Sequence, residues 1–404
     1  MTSFLKYLRD RNAVAQITHE DEFNTHIKGK QTAYIGFDPT APSLHVGNLV
    51  ALTMAKRWQQ AGHRIIILLG GGTAMVGDPT GKTELRSMAE TSVIDERALL
   101  IKGQIERYID FSDPERGILV NNADWLRDLQ YLPFLREIGA HFNVNRMLDA
   151  ECFKQRMEKG LSFLEFNYMI FQAYDFLELY KRYGCTIQLG GDDQWSNMLA
   201  GMDLVRKMKR AQAFVVTCPL LISSTGKKMG KTEKGALWLN SEMTSPFDLF
   251  QYFRNIDDQD VGAVLRMLTD LSADEITELA SRQDQSINES KVRAAFEITK
   301  LVHGIDKANE AKEMAASLFS GQGQEANAPE LRYDEKSTLI LDVLVKTKAC
   351  ESKSEGRRLI QQGGLTIDGE KVSDEKGEFT ADQRAHGVLV RLGKKRYYRI
   401  IFTS

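Results

Sequence analysis

Residues 33–48 read Ala-Tyr-Ile-Gly-Phe-Asp-Pro-Thr-Ala-Pro-Ser-Leu-His-Val-Gly-Asn, and residues 64–72 read Arg-Ile-Ile-Ile-Leu-Leu-Gly-Gly-Gly. The first stretch opens as a short apolar strand, Ala33–Phe37, and turns at Pro39 and Pro42. A helical pattern then runs from about Ser43 to Gln60 and stops at Gly62. The second stretch is an apolar strand, Arg64–Leu69, that runs straight into three glycines. Farther on, Thr186–Leu189 is a strand ending in Gly190-Gly191, and Ala213–Thr217 is another. Strand–helix alternation of this kind predicts an α/β fold built on a doubly wound parallel sheet. Ligands of such sheets bind outside the carboxyl ends of the strands, which is where these glycines fall.

Working outward, residues 1–246 form this α/β domain, and the pattern changes at 247–319. No proline occurs between Pro246 and Pro329, and Leu265, Leu268, Ile276, Leu279, Phe296 and Leu301 recur at helical spacing. Ser272 followed by Glu275 is a capping box. An all-helical domain is predicted. Residues 320–331, rich in Gly, Gln and Ala and without apolar periodicity, read as a linker. A small α+β domain follows over 332–404: a helix around Leu339–Val345, a second capping box at Ser352 and Glu355, a hairpin turning at Asp368-Gly369, and a second hairpin, Val388–Leu392 with Tyr397–Phe402.

The composition bounds the function. The chain has 404 residues, 42% hydrophobic and 27% charged, which excludes global disorder and leaves ample chain for a core. No apolar run approaches the roughly 18 residues of a membrane span. The start, Met-Thr-Ser-Phe-Leu-Lys, lacks a signal or transit pattern, so a cytoplasmic protein with no membrane partner is expected. Cys152, Cys185, Cys218 and Cys350 lie far apart, and the seven histidines form no H-E-x-x-H, so no protein metal site is expected. Net charge is -2, but its distribution is uneven: 332–404 carry 15 Lys/Arg against 11 Asp/Glu, a net of +4 on an otherwise acidic body. A basic tail hints at nucleic acid.

Four motifs could carry chemistry, and each has a plain structural alternative. Gly36, Asp38, Thr40, His45, Gly47 and Asn48 surround a strand–turn–helix junction. A helix N-terminus there would receive a phosphate, and Gly47 would admit a ring close to the backbone; the alternative is an ordinary turn with a surface histidine. Gly70–Gly72 lead to Asp78, Lys82 and Arg86, suited to an ammonium and to phosphates, although the spacing is not that of a Walker P-loop. Tyr168, Gln172 and Asp175 share one helix face at i, i+4 and i+7, with Gln188, Asp193 and Gln194 at a nearby strand end; the alternative is a solvated helix face. Ser223–Thr232 places Lys228 and Lys231 in a glycine-flanked cationic loop suited to charge developing on phosphates; the alternative is a solvated lysine loop.

Together these motifs resemble the class I aminoacyl-tRNA synthetases. His45-Val46-Gly47-Asn48 is similar to the first signature of that class, His-Ile-Gly-His, and Lys228-Met229-Gly230-Lys231-Thr232 to the second, Lys-Met-Ser-Lys-Ser. Within the class, Tyr34–Thr40, Gly77–Pro79, Tyr168–Asp175 and Gln188–Gln194 resemble the bacterial tyrosyl members over nearly the whole chain. The resemblance implies a Rossmann-like catalytic domain, a helical domain facing the anticodon region, and a C-terminal RNA-binding module like that of a ribosomal small-subunit protein. It implies that Tyr34 and Asp175 bond the tyrosine phenol. Asp78, Tyr168 and Gln172 would hold its ammonium, and Gln188 would line the same pocket. Gln194 would lie near the reacting carboxylate. Gly36, Asp38, Gly47, Gly191 and Asp193 would line the adenylate site, Asp193 at the ribose. Thr40 and His45 would grip the γ-phosphate, and Lys82, Arg86, Lys228, Lys231 and Thr232 would close over the pyrophosphate.

Two positions depart from the signatures. Asn48 stands where a second histidine is usual, and its amide N–H is still able to donate to the ribose. Gly230 replaces a serine, which removes a hydroxyl and is expected to add loop freedom. The implied reaction is two-step charging of tRNA(Tyr) by L-tyrosine, with ATP as substrate, Mg2+ accompanying ATP, and a homodimeric enzyme. Three alternatives remain at this point: a tryptophanyl enzyme, a nucleotidyltransferase acting on a small metabolite, and an RNA chaperone built on an inactive synthetase.

Overall fold

The structure, a computed structural model, describes residues 4–80, 89–157, 160–232, 235–319, 328–334, 337–393 and 396–403. It divides into two compact units, Met1–Ala308 and Asn309–Ser404. The helices expected as a separate domain over 247–319 share the first unit with the sheet as far as Ala308.

The first unit carries a six-stranded sheet. In chain order its strands are β1 Gln16–Ile17, β2 Thr32–Phe37, β3 Arg64–Leu69, β4 Gly117–Asn121, β5 Ile187–Gly191 and β6 Phe214–Cys218, and in space they run β1-β6-β5-β2-β3-β4. Five strands are parallel; β1 joins the edge of β6 antiparallel. β4, with Ile118, Leu119 and Val120, is a strand that the alternation above did not include. Sequence order reverses between β2 and β5, the switch point at which doubly wound sheets bind ligands.

Register decides how that point opens. β2 pairs with β3 along its whole length to Phe37 and Leu69, and β5 pairs with β6 to Gly191 and Cys218. β2 and β5 pair only at Ala33–Ile187 and Tyr34–Gln188. Beyond Tyr34 and Gln188 the two strands part, and a crevice opens between their carboxyl halves.

The central strand β3 is buried on both faces, which is why it reads as an unbroken apolar run. Ile65, Ile66 and Ile67 are each 0% exposed, and burial of a side chain of this size contributes about 1.5–3 kcal/mol. Against the sheet packs the helix Phe163–Tyr183, started by a Ser162–Glu165 capping box and stopped by Gly184 in the left-handed region. Its Met169, Ala173, Phe176 and Leu177 join Tyr34, Ile66 and Leu68 in one core cluster. The expected helix after β2 is Val46–Gln60, with His45 as the extended N-cap.

From Pro246 onward the chain is helical, as expected for 247–319: Pro246–Arg254, Val261–Leu268, Ala273–Ser281, Ile287–His303 and Ile305–Phe319. The Ser272–Glu275 box is closed in both directions. Two buried guanidiniums, Arg11 and Arg57, donate to carbonyls at the end of Val261–Leu268: both reach Thr269 O at 3.0 Å, and Arg57 also reaches Arg266 O.

The second unit has its own core, including Leu344, Leu365, Val390 and Ile400. Its five-stranded sheet runs in the spatial order Glu370–Lys371, Leu365–Ile367, Val388–Leu392, Arg396–Phe402, Glu330–Tyr333. Both expected hairpins are present. Asp368 and Gly369 turn the first with φ of 49° and 87°, both positive as a two-residue hairpin turn of this type requires. The second capping box differs from expectation. Ser352 accepts from the Glu355 N–H, but the Glu355 carboxylate takes the N–H of Glu351 and pairs with Arg396 at 2.6 Å. One Glu355 oxygen is thus taken by the Glu351 N–H and the other by Arg396, and the reciprocal half of the box is not formed.

Candidate active site

A cavity of about 500 Å³ fills the crevice at the switch point. It draws on every motif singled out in the sequence. From the end of β2 and the following turn come Tyr34, Gly36, Asp38 and Thr40. His45, Gly47 and Asn48 stand at the start of the helix Val46–Gln60. Tyr168, Gln172 and Asp175 come from one face of the helix Phe163–Tyr183, and Gln188, Gly191, Asp193 and Gln194 from the end of β5. Asp78, Lys228 and Lys231 complete the lining. Lys82 and Arg86 lie outside the described residues. Thr232 lies in the short strand Lys231–Thr232, its side chain outside the described residues. The helix face of Tyr168 and Asp175 is buried, 6% and 2% exposed, so the solvated-face alternative does not apply.

The deep end of the cavity is polar and incomplete. Tyr34 Oη, Gln172 Oε1 and Gln188 Oε1 are buried and have no hydrogen-bond partner among the described residues. Buried polar groups are ordinarily paired, so three such atoms in one cavity mark it as built for a polar ligand. Burial pushes the Tyr34 phenol well up, with the Asp175 carboxylate adding to the effect. Asp175 is held by two donors: Trp125 Nε1 at 2.8 Å on one oxygen and Asn122 Nδ2 at 2.9 Å on the other. Burial nonetheless raises its carboxyl to about 8.

A chain of side-chain hydrogen bonds runs from there to Asp38 and Tyr168. Asn122 also donates to Thr73 Oγ1 at 2.9 Å, Thr73 donates to Asp38 at 2.7 Å, and Tyr168 donates to the other oxygen of Asp38 at 2.8 Å. The glycine run after β3 now has a reason: a Cβ on Gly70 would collide with the Asp38 carboxylate. Sequence reasoning missed Thr73, Asn122 and Trp125. Asn122 and Trp125 follow β4, and the strand-end rule would have pointed to them had Ile118–Val120 been read as a strand. Asp78 accepts from Gln194 Nε2 at 2.8 Å, which joins the two residues expected at the substrate ammonium and carboxylate.

The mouth is cationic and donor-rich. Burial lowers the His45 imidazole, and Lys231 and Lys228, which line the same cavity, lower it further. The ring close to Gly47 is that of His45 itself: a Cβ there would lie 2.9 Å from its Cε1. The Asn48 amide oxygen accepts from the His45 N–H at 3.0 Å, while the Asn48 N–H donates to the His45 carbonyl at 2.8 Å. With its oxygen engaged in the cap, the amide presents Nδ2 as a donor. Gly230 corrects an expectation. Its φ is +79°, and a Cβ would meet Val46 Cβ at 2.8 Å. Glycine therefore lets the second signature press against the first; it does not loosen the loop.

Among the described residues no group of three His, Cys, Asp or Glu is arranged to hold a metal ion, and no helix is long and apolar enough to cross a membrane.

Comparison with known proteins agrees with this geometry. The family model described as tRNA synthetases class I (W and Y) matches residues 26–320, and one described as a tyrosine–tRNA ligase SYY-like C-terminal domain matches 321–400. The chain is 54% identical over 405 residues to the tyrosine–tRNA ligase of Clostridium kluyveri, covering 99% of this chain and 100% of that protein. It is 51% identical to that of Fusobacterium nucleatum, covering 99% and 98%. Among solved structures, a C-terminally truncated mitochondrial tyrosyl-tRNA synthetase of Aspergillus nidulans superposes with a TM-score of 0.70 at 30% identity, covering 79% of this chain and 95% of that one. Two signatures meeting at one switch point, a family model spanning both, and full-length relatives above half identity establish that the chain belongs to the class I tRNA synthetases of the tryptophan and tyrosine group.

Proposed function

We propose that the chain activates L-tyrosine with ATP and transfers it to the 3′ end of tRNA(Tyr). One observation carries this: a single cavity joins the unpaired Tyr34 hydroxyl, beside Asp175, to a mouth where His45, Lys228 and Lys231 converge. A phenol-bearing substrate satisfies the deep end, and polyphosphate satisfies the mouth.

In the first step a tyrosine carboxylate oxygen attacks the α-phosphorus. The bond to the bridging oxygen breaks, and pyrophosphate leaves. Tyr34 and Asp175 bond the phenol; Asp78, Tyr168 and Gln172 hold the ammonium; Gln188 lines the same pocket, and Gln194 lies near the carboxylate. Asp38, Gly36, Gly47, Gly191 and Asp193 line the adenylate, with Asn48 Nδ2 offered to the ribose. Thr40 and His45 bond the γ-phosphate as charge develops, and Lys82, Arg86, Lys228, Lys231 and Thr232 stabilise the departing pyrophosphate. In the second step the terminal adenosine hydroxyl of the tRNA attacks the carbonyl carbon and AMP leaves. No covalent enzyme intermediate is needed, so catalysis comes from alignment and charge stabilisation. Mg2+ accompanying ATP would offset phosphate charge.

The basic 332–404 region grips tRNA, and the helices of 247–319 face its anticodon region. The enzyme acts as a homodimer in the cytoplasm. Support for the dimer is the exposure of large apolar side chains, Leu132 at 74% and Phe163 at 71%. The two helices that carry them are joined by Phe134 stacked on Phe171.

The test is exchange of labelled pyrophosphate into ATP without tRNA, run with tyrosine, phenylalanine and tryptophan. Exchange with tyrosine alone is expected. Exchange with tryptophan would move the assignment to the tryptophanyl branch, and no exchange with any of the three would favour an RNA-binding role.

A further inference from the structure

The cationic loop is held from two sides by different means. On the cavity side it rests on the first signature: Gly230 is packed on Val46, and the Gly230 carbonyl accepts from the Leu237 N–H at 2.8 Å. The Leu237 carbonyl in turn accepts from the Val46 N–H at 2.9 Å. On the other side stand the helices Pro246–Arg254 and Val261–Leu268. A second cavity, of about 720 Å³, separates the loop from them, lined by Met229, Trp238, Tyr252, Asp257 and Asp260. Across that space the loop backbone is caught at two points. The Tyr252 hydroxyl accepts from the Gly230 N–H at 2.8 Å. An Asp260 carboxylate oxygen accepts from the Ser224 N–H at 2.7 Å. Ser224 is at the loop tip, where the chain turns back between Ser223 and Lys227. Gly230 lies between the two lysines.

We propose that Tyr252 and Asp260 are positioning residues for the adenylation step: they hold the backbone of 224–230 in the position from which Lys228 and Lys231 face the phosphates. Close packing does not fix the loop on this side, because the cavity intervenes, so the two hydrogen bonds set its placement. Neither side chain lies between the lysines in sequence, and neither needs to touch ATP. Both belong to the helical stretch after residue 246. The placement of catalytic charge therefore depends on segments outside the two signatures. The inference rests on the adenylation reading of the first cavity.

Tyr252→Phe removes one acceptor and keeps the ring, which packs edge-on to Phe253. Asp260→Asn keeps an amide oxygen that accepts from the Ser224 N–H. Wild type and both variants would be compared in single-turnover tyrosyl-adenylate formation over a range of ATP, with tyrosine binding measured separately by equilibrium dialysis. Tyr252→Phe should lower the limiting adenylation rate by about 3- to 10-fold, the scale of one net hydrogen bond, with the tyrosine dissociation constant unchanged. Asp260→Asn should stay near wild type, and Asp260→Ala should fall with Tyr252→Phe. An unchanged adenylation rate in Tyr252→Phe overturns the proposal, as does an equal loss in tyrosine affinity, which marks a general structural lesion. A wild-type enzyme that forms no adenylate defeats the underlying reading first, and this proposal with it.

Discussion

Tyr34→Phe isolates the specificity of the deep pocket. Tyr34 is 1% exposed, its ring lies 5.2 Å from that of Phe176, and its hydroxyl has no partner among the described residues. The substitution keeps the packing and breaks no hydrogen bond within the described chain. Stability of the ligand-free enzyme should therefore not fall. Tyrosine, however, loses one neutral hydrogen bond, worth about 0.5–1.5 kcal/mol net. At roughly tenfold per 1.36 kcal/mol, kcat/KM for tyrosine in pyrophosphate exchange should drop by about 2- to 13-fold. Phenylalanine has no hydroxyl to lose, so its kcat/KM should hold or rise, and discrimination narrows by the same factor. KM for ATP should not move, because Tyr34 lies at the far end of the cavity from His45 and the lysines. Thermal melts supply the second arm. Ligand-free melting temperatures should agree or favour the variant, while saturating tyrosine should protect wild type more. Unchanged tyrosine kinetics, or a lower ligand-free melting temperature, would refute the reasoning.

Other outcomes follow from the same geometry. Lys228→Ala or Lys231→Ala should slow adenylate formation by about 10²- to 10³-fold, the scale of losing one group aimed at developing charge, while tyrosine binding by dialysis stays the same; weakened tyrosine binding of similar size would count against a role at the phosphates. Burial raises the Asp175 carboxyl from 3.8 to about 8, so between those values the folded chain binds more protons there than the unfolded chain. Its contribution to stability is complete below the lower value and is lost as pH rises through the upper one. The melting-temperature advantage of ligand-free wild type over Asp175→Asn should thus shrink from pH 5 to pH 9, and a constant gap would contradict the shift. Deleting 332–404 should spare adenylate formation but weaken tRNA charging, most at higher salt; equal loss of both steps would argue against an RNA-binding role for that segment.

Much of this was legible in one dimension because the governing interactions are local. Ile65–Ile67 flanked by glycines announce a buried strand and its ligand-facing end. Tyr168, Gln172 and Asp175 share a helix face by periodicity alone. The Asp368-Gly369 turn and the Ser272–Glu275 box are set by residues within a few positions of one another. Where local signals were weaker, the structure added to the reading or changed it. Ile118–Val120 is too short a run to stand apart from a buried helix segment, and with β4 unread, Asn122 and Trp125 were missed. Glu355 reads as a reciprocal cap in sequence, but in the structure its oxygens are taken by the Glu351 N–H and by Arg396, far along the chain.

The sequence by itself determined the α/β class, the helical stretch, the two C-terminal hairpins and the residue types around the two signatures. Tertiary structure alone decided which of those residues meet. The early end of pairing between β2 and β5 opens the crevice, and register between Ala33 and Ile187, far apart in sequence, is not written in either strand. The same holds for Gly230. In sequence it is a serine lost from a signature and a gain in freedom; in space it is a tight contact with Val46 and a backbone donor to Tyr252. A glycine's neighbours are fixed by how distant segments pack, and only the folded chain brings them together.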